Sequence, residues 1–93
     1  MTNPSLLILA SLADGDKHGY AMMEDIQRFA NVRPGTLYGA ITRLEQRGWI
    51  APVDSDDRRR PYRITAAGRR CLQKQLVQLD HVVRAGLRRL RET

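Results

Sequence analysis

The last third of the sequence places an apolar side chain at every third or fourth position. Such spacing keeps one stripe of a helix apolar, so we predict a helix from Ala66 to about Arg91. At 1.5 Å per residue this helix is ~39 Å long. Its stripe has the a/d-like pattern of helices that pair with a second helix. The stripe consists of Leu72, Leu76, Leu79, Val83, Leu87 and Leu90.

The length of the chain limits what this stripe can pack against. The 93 residues are room for one domain, and a domain of that size has little core in which to bury a long helix. A free subunit would expose the stripe together with the apolar N-terminal residues, so we predict a two-fold homodimer. The residues predicted to form its interface are Leu6, Leu9, Leu72, Leu76, Leu79, Val83, Leu87 and Leu90.

Charge is distributed unevenly along the chain. Residues 1–57 carry five basic and eight acidic side chains, a net charge of −3, and residues 58–93 carry eleven basic and two acidic, a net charge of +9. Their sum is the net charge of +6 of the whole chain. The basic half predicts a polyanionic partner, of which nucleic acid is the commonest. A solvated basic helix is the alternative explanation.

The chain offers little for catalysis, metal binding or membrane insertion. Its single cysteine, Cys71, excludes a disulfide within one chain and fits a reducing cytoplasm. Cys71 is interpreted as a small buried thiol, with a redox sensor flanked by basic residues as the alternative. The apolar run at residues 6–10 is far below the ~20 residues that span a bilayer, so neither a membrane segment nor a signal peptide is expected. His18 and His81 lack metal-ligand spacing, and no catalytic triad or phosphate loop is present, so no metal, cofactor or enzymatic activity is predicted.

Capping residues and periodicity predict three short helices before the long one. The first helix begins at Asn3-Pro4 and runs to residue 13, the second covers Gly19 to about Phe29, and the third runs from Pro34 to about Arg47. The predicted inner face of the second helix is Tyr20, Met23, Ile26 and Ala30. The predicted inner face of the third helix is Leu37, Ala40, Ile41 and Leu44.

Two extended segments follow the third helix and predict a β-hairpin. They are Trp49–Val53 and Arg58–Thr65, joined by a polar turn at residues 54–57. The resulting order is typical of a winged helix-turn-helix, mainly α with a small β-hairpin, followed by a long C-terminal dimerisation helix. We expect a single compact unit composed of a winged-helix domain at residues 1–65, including the N-terminal helix 4–13, and the dimerisation helix at residues 66–93.

The third helix has the size and the outward side chains of a helix that enters the major groove of DNA. Thr36 and Tyr38 lie in its first turn, where free backbone N–H groups favour phosphate. Thr42 and Arg43 lie about one turn further along, where we expect Arg43 to contact guanine. The alternatives are an ordinary amphipathic surface helix, and an Arg43 that pairs internally with Glu45 or Asp25.

The tip of the predicted hairpin carries a cluster of three arginines. Arg58, Arg59 and Arg60 follow the turn directly and suit phosphate contacts or a narrow minor groove. The alternative is a solubilising charge cluster, partly neutralised by the acidic residues of the turn. The full set of predicted DNA-binding residues is Thr36, Tyr38, Thr42, Arg43, Arg58, Arg59 and Arg60.

Several segments of the chain match one known family signature. They are His18-Gly19-Tyr20, Pro34-Gly35-Thr36-Leu37-Tyr38, Arg43-Leu44-Glu45, Gly48-Trp49-Ile50 and the string from Arg59 to Gly68. With these segments the sequence resembles the PadR-type transcriptional regulators over about residues 4 to 90. The resemblance implies a winged-helix fold and a homodimer joined through the C-terminal helix, with the N-terminal helix of one subunit packed on it. It also implies a bacterial repressor that responds to a small aromatic or drug-like ligand, and DNA contacts at Thr36, Tyr38, Arg43 and the wing arginines.

The sequence therefore predicts a sequence-specific DNA-binding transcriptional regulator that acts in the cytoplasm on an inverted repeat in double-stranded DNA. The resemblance further implies a repressor released by a small aromatic ligand, for which a site between the subunits is expected; the residues by themselves leave both a repressor and an activator open. Trp49 is the candidate pocket residue, with a place in the core as the alternative. Two other classes of protein remain open, a protein-interaction module that does not bind DNA and a non-specific architectural DNA-binding protein.

Overall fold

The computed structural model describes residues 3–53 and 60–93. Within these residues, four helices and one hairpin follow in the predicted order, which confirms the predicted fold class. The turn at residues 54–57 and the predicted strand start at Arg58 and Arg59 lie outside the described residues. The elements are α1 (Pro4–Leu12), α2 (Gly19–Gln27), α3 (Pro34–Gln46), β1 (Ile50–Pro52), β2 (Tyr62–Ile64) and α4 (Ala66–Glu92).

Helix α1 is the central element of the core. It begins where the side chain of Asn3 accepts a hydrogen bond from the backbone N–H of Ser5 at 2.9 Å, with Pro4 at the first helical position. Apolar residues cover nearly its whole circumference, and α2, α3, α4 and β2 all contact it. Its side chains are therefore buried by elements of the same chain. The buried apolar residues of α1 are Leu6, Leu7, Ile8, Leu9 and Leu12.

The inner face of α2 differs from the prediction. Tyr20 was expected inside but is 53% exposed, whereas Met22 and Ile26 are fully buried. A helix of nine residues buries little more than one residue per turn against its neighbours. Met22 and Ile26, which are four positions apart, occupy these buried positions. Asp25 lies at the boundary of the core, where its carboxylate accepts a 2.7 Å hydrogen bond from the buried Ser11 hydroxyl. This bond joins α1 to α2.

Helix α3 has the predicted inner face. Leu37, Ala40, Ile41 and Leu44 are all buried, chiefly against α1, which confirms that part of the prediction. Thirteen residues give the apolar stripe three full turns, so its direction is well defined by the pattern. The helix ends because Gly48 adopts a φ of 75°, a left-handed conformation that suits glycine.

The hairpin is shorter than predicted and has an additional partner. Strands β1 and β2 pair antiparallel, with Ile50 opposite Ile64 and Pro52 opposite Tyr62. The backbone of Tyr62 also forms an isolated bridge with Lys17, with N···O distances of 3.1 and 2.8 Å. A single bridging residue has no alternating pattern, so this third member of the sheet could not be predicted from the sequence.

Helix α4 starts inside the fold and then projects away from it. The hydroxyl of Thr65 caps its first turn by accepting a 3.1 Å hydrogen bond from the N–H of Gly68. Leu72 is the last buried residue of the 27-residue helix, and nearly every residue after it is exposed. The longest dimension of the molecule, 57 Å, reflects this projection.

Candidate nucleic-acid interface

The outward face of α3 is exposed as a continuous polar surface. Thr36, Tyr38, Thr42 and Arg43 are all solvent-accessible. The hydroxyl of Thr42 donates a 3.3 Å hydrogen bond to the backbone carbonyl of Tyr38, so its oxygen lone pairs and its methyl group remain for an outside partner. The face therefore offers a phenol, two threonine side chains and one guanidinium.

The Arg43 side chain lies along α3 toward the beginning of the helix. Its Nη1 atom is 3.5 Å from the position that a Cβ on Gly39 would occupy, so the guanidinium passes over the glycine one turn earlier. In the described part of the chain, Arg43 forms no ion pair with Glu45 or Asp25. Its five N–H donors are therefore available to a ligand in this conformation.

The beginnings of α2 and α3 lie next to each other through aromatic side chains. The Tyr38 ring carbon Cε1 is 3.4 Å from the position of a Cβ on Gly19, so glycine leaves room for the ring. The His18 ring stacks on Tyr20 with a centroid distance of 5.8 Å and an angle of 14° between the planes. Tyr20 was not predicted to be a surface residue. The signal that could have identified it is the His18-Gly19-Tyr20 segment, which belongs to the family signature.

The wing, defined as β1, β2 and the connection between them, contributes basic side chains on the β2 side. Arg60 is exposed, whereas Arg58 and Arg59 lie outside the described residues. Arg63 faces the turn between α1 and α2, where its guanidinium donates two hydrogen bonds to the Asp16 carboxylate at 3.0 and 3.3 Å. The hydrogen bonds and the negative charge of Asp16 raise the pKa of Arg63 above its usual value.

The same turn contains a second ion pair. The ammonium group of Lys17 donates to the Asp14 carboxylate and to the backbone carbonyl of Ser11. The hydrogen bond and the positive charge of Lys17 lower the pKa of Asp14 below its usual value. Next to it, burial and, to a lesser extent, the negative charge of Glu45 raise the pKa of the Tyr62 phenol, which stays protonated and neutral at physiological pH.

Trp49 lies at the junction between α3 and β1 and is partly buried against the core. The Arg47 guanidinium lies over its ring, 5.3 Å from the centroid, at a distance typical of a cation–π contact. The Trp49 carbonyl accepts a 3.0 Å hydrogen bond from the N–H of Thr65. Cys71 is also partly buried against the core, and its Sγ accepts a 3.0 Å hydrogen bond from the side chain of Gln75.

The residues predicted to join two subunits fall into two groups. Leu9 is completely buried in its own chain, and Leu6 and Leu72 are 6% exposed, so these three have almost no surface for a partner in this conformation. The other five are 44–73% exposed along α4, and they are Leu76, Leu79, Val83, Leu87 and Leu90.

A groove of about 520 Å³ lies on the same helix, beside the point where α4 leaves the core. Trp49 does not line this groove. Within residues 3–53 and 60–93, no cluster of three metal-binding side chains is found, and no helix is both long and apolar enough to cross a bilayer. The groove is lined by Arg69, Leu72, Gln73, Leu76, Val77 and Asp80.

The order of the elements defines a winged-helix protein: helices α2 and α3 are followed by the hairpin, and α4 begins directly after it. The sequence profile of the transcriptional regulator PadR-like family matches residues 8–74. The chain belongs to that family of transcriptional regulators.

Two relatives and one solved structure are similar to this chain. The transcriptional regulator Rv3488 of Mycobacterium tuberculosis is 36% identical over 83 residues, which are 85% of this chain and 78% of that protein. An uncharacterised 37.1 kDa protein in transposon TN4556 of Streptomyces fradiae is 42% identical over 72 residues, which are 75% of this chain but only 21% of that protein. A PadR family transcription regulator from Clostridium difficile R20291 shares the fold with a TM-score of 0.81 at 22% identity, over 88% of this chain and 92% of that one.

Proposed function

We propose that this regulator binds double-stranded DNA in a sequence-specific manner, through α3 and the wing. The observation that carries the proposal is the exposed α3 face, on which Thr36, Tyr38 and Thr42 are accessible and Arg43 forms no ion pair with any residue that the structure describes. No acidic residue stands among these four, so the face does not repel phosphate. Arg43 is the candidate for base reading, because a guanidinium matches the two acceptors of guanine in the major groove.

Contacts with the DNA backbone are assigned to the first turn of α3 and to the wing. Thr36 lies in the first turn of α3, where the uncapped N–H groups and the positive end of the helix dipole favour an anion, and Tyr38 lies directly after that turn. Arg58, Arg59 and Arg60 are assigned to phosphates or to the minor groove. Such contacts position the protein on the duplex, whereas Thr42 and Arg43 would distinguish one base pair from another.

We propose that the regulator acts as a homodimer joined through α4. The support is the exposed apolar stripe from Leu76 to Leu90, since a solvated helix gains nothing from five large apolar side chains on one side. A two-fold dimer presents two α3 helices to one side of the duplex, with half-sites ~10 base pairs apart or a multiple of that distance. The DNA site is then an inverted repeat, and the dimer acts in the cytoplasm, where the DNA of a bacterium is found.

Selection of bound duplexes from a random library tests this function directly. The expected result is enrichment of one inverted repeat, with an affinity that falls steeply as salt is raised. Binding without any enriched sequence would instead identify a non-specific architectural protein. Absence of binding even at low salt would leave a protein-interaction module as the function.

The finer proposal is that DNA binding represses transcription and that a small aromatic molecule releases it. It is supported by the family resemblance and by the α4 groove, whose volume of about 520 Å³ is within the usual range of ligand sites. One protein of similar fold, BpsR of Bordetella bronchiseptica, has its DNA binding regulated by 6-hydroxynicotinic acid; it is 20% identical, with a TM-score of 0.76.

Trp49 is the single tryptophan of the chain, so a change in tryptophan fluorescence has one source, although Trp49 does not line the groove. Planar aromatic compounds should be titrated while Trp49 fluorescence and the release of labelled duplex are both recorded. A compound that changes both signals at the same concentration supports regulation by a ligand. If compounds of this class bind but leave the duplex bound, the ligand-release proposal is wrong and DNA binding itself is unaffected.

A further inference from the structure

Two contacts tie the wing to the turn between α1 and α2. The first is the ion pair in which Arg63 donates two hydrogen bonds to the carboxylate of Asp16. The second is the antiparallel backbone bridge between Tyr62 and Lys17, one residue earlier in β2 and one residue later in the turn. These two contacts are called the wing anchor below. They join residues that are 45 to 47 positions apart in the sequence.

The turn between α1 and α2, which receives the wing anchor, is itself held in place. The Lys17 side chain reaches back to the carbonyl of Ser11 at the end of α1 and to the Asp14 carboxylate. Ser11 in turn bonds the Asp25 carboxylate on α2. The turn that receives the wing is therefore fastened to both helices that flank it.

The hairpin needs such support. Each of its strands has three residues, and a two-stranded hairpin of that length is marginally stable in water by itself. Both strands are fixed to the core at one end, β1 through the buried Ile50 and β2 through the buried Ile64. The end of β2 that leads to the arginines of the wing tip, however, lies beyond Ile64 and begins with Tyr62 and Arg63. The direction in which β2 leaves the core therefore depends on the contacts of Tyr62 and Arg63.

We propose that Asp16 is a positioning residue for DNA binding: it holds Arg63, and through it the β2 arm, in the orientation that brings Arg60 to the duplex. Arg63 is then an anchor of the wing and not a phosphate contact, although its charge and its place in the wing would suggest the latter. The inference rests on the proposed function, because it assigns a role within the same DNA interface.

The proposal makes a prediction opposite in sign to simple electrostatics. Replacing Asp16 with asparagine removes a negative charge near a site for a polyanion, and that change alone favours DNA binding. Loss of the wing anchor acts in the other direction. A β2 strand without a fixed direction must be ordered when the protein binds DNA, and this ordering costs binding free energy. The sign of the change therefore distinguishes the two accounts.

The experiment compares Asp16→Asn with Glu24→Gln, a variant that removes the same charge from an exposed position on α2. Affinity for a fluorescein-labelled duplex of mixed sequence is measured by anisotropy over a series of salt concentrations. Asp16→Asn is expected to bind about two- to fivefold more weakly than the unmodified protein, with a shallower salt dependence because the wing then neutralises fewer phosphates. Glu24→Gln is expected to bind as tightly as the unmodified protein or more tightly.

Two further variants keep the test independent of folding effects. Arg63→Lys retains the charge but cannot form the bidentate pair of hydrogen bonds with Asp16. It should therefore weaken DNA binding to a similar extent as Asp16→Asn. The double variant Asp16→Asn/Arg63→Lys should be no weaker than either single variant, because both remove the same interaction. All variants are compared at a temperature at which circular dichroism shows them fully folded.

The results separate this inference from the proposed function. If the unmodified protein does not bind DNA at any salt concentration, the proposed function itself is wrong. If it binds, and Asp16→Asn binds equally or more tightly while Arg63→Lys binds more weakly, then Arg63 contacts phosphate directly and the positioning role of Asp16 is refuted.

Discussion

The hydroxyl of Thr65 donates a 2.7 Å hydrogen bond to the backbone carbonyl of Gly48, which lies 17 residues earlier in the sequence. Gly48 ends α3 and Thr65 begins α4. The same hydroxyl oxygen accepts the N–H of Gly68, so one side chain serves as the cap of α4 and as its link to α3. The helix assigned to DNA and the helix assigned to dimerisation are thus joined at their adjacent ends.

Replacing Thr65 with valine removes both hydrogen bonds at almost constant volume. We expect the free energy of unfolding to fall by about 1–2 kcal/mol, because the α4 cap and the donor to the Gly48 carbonyl disappear together. Thr65→Ser keeps the hydroxyl and should stay close to the unmodified protein. Urea unfolding at one fixed protein concentration measures both, and equal stability of the valine and serine variants would contradict this role.

Gly68 and Gly86 provide a matched pair of glycines within α4. A Cβ on Gly68 would lie 2.1 Å from the carbonyl oxygen of Trp49, whereas a Cβ on Gly86 meets nothing within 4 Å. We expect Gly68→Ala to cost roughly 2 kcal/mol or more, since the hairpin backbone must move. Gly86→Ala should stabilise the helix by about 0.5–1 kcal/mol. Thermal unfolding of the two variants tests the difference, and a neutral Gly68→Ala would mean that α4 does not dock on the hairpin in this way.

The apolar stripe of α4 predicts a change of oligomeric state on charge insertion. Leu76→Asp and Leu79→Asp each place a carboxylate on the stripe, and a dimer formed there would have to bury it. We expect sedimentation velocity to show a monomer at micromolar concentration. Gln78→Asp, on the far side of the helix, adds the same charge and should remain dimeric. A folded monomer of the unmodified chain would refute the dimer.

The arginines of the wing are expected to act without regard to sequence. Replacing Arg58, Arg59 and Arg60 with alanine should weaken binding to all duplexes alike and reduce the slope of log K against log salt by about 0.9 for each phosphate that the wing no longer neutralises. Alanine at Arg88, Arg89 and Arg91 removes the same charge from the end of α4 and should leave that slope nearly unchanged. An unchanged slope for the wing variant would show that the wing does not touch DNA.

Arg43 is expected to read one base pair in each half-site. With Arg43→Ala, the preference for guanine at that position should disappear, a loss of discrimination worth ~1–3 kcal/mol, while the other positions keep theirs. The measurement is the affinity for single-base variants of the selected operator. A uniform loss over all variants would make Arg43 a phosphate contact, and no loss at all would mean that it does not meet the DNA.

Elements whose residues repeat over several turns were predicted well from the sequence. The inner face of α3 was correct in all four residues, because three turns define the direction of an apolar stripe. The prediction failed for Tyr20 on α2. This helix has nine residues and two core positions, Met22 and Ile26, and so short an apolar pattern is compatible with more than one inner face. The error concerned an aromatic residue whose partial polarity suits either environment.

The order of the elements, the start of each helix and the apolar stripes of α3 and α4 could be predicted from the sequence, because capping and periodicity are local properties of the chain. The burial of Leu6, Leu9 and Leu72 in the core of one chain and the pairing of Arg63 with Asp16 became visible in the folded structure alone. The folded structure also shows that Lys17 extends the hairpin and that Gly68 must be small. Each of these contacts joins residues far apart in the sequence, and they form only once the helices have packed around α1.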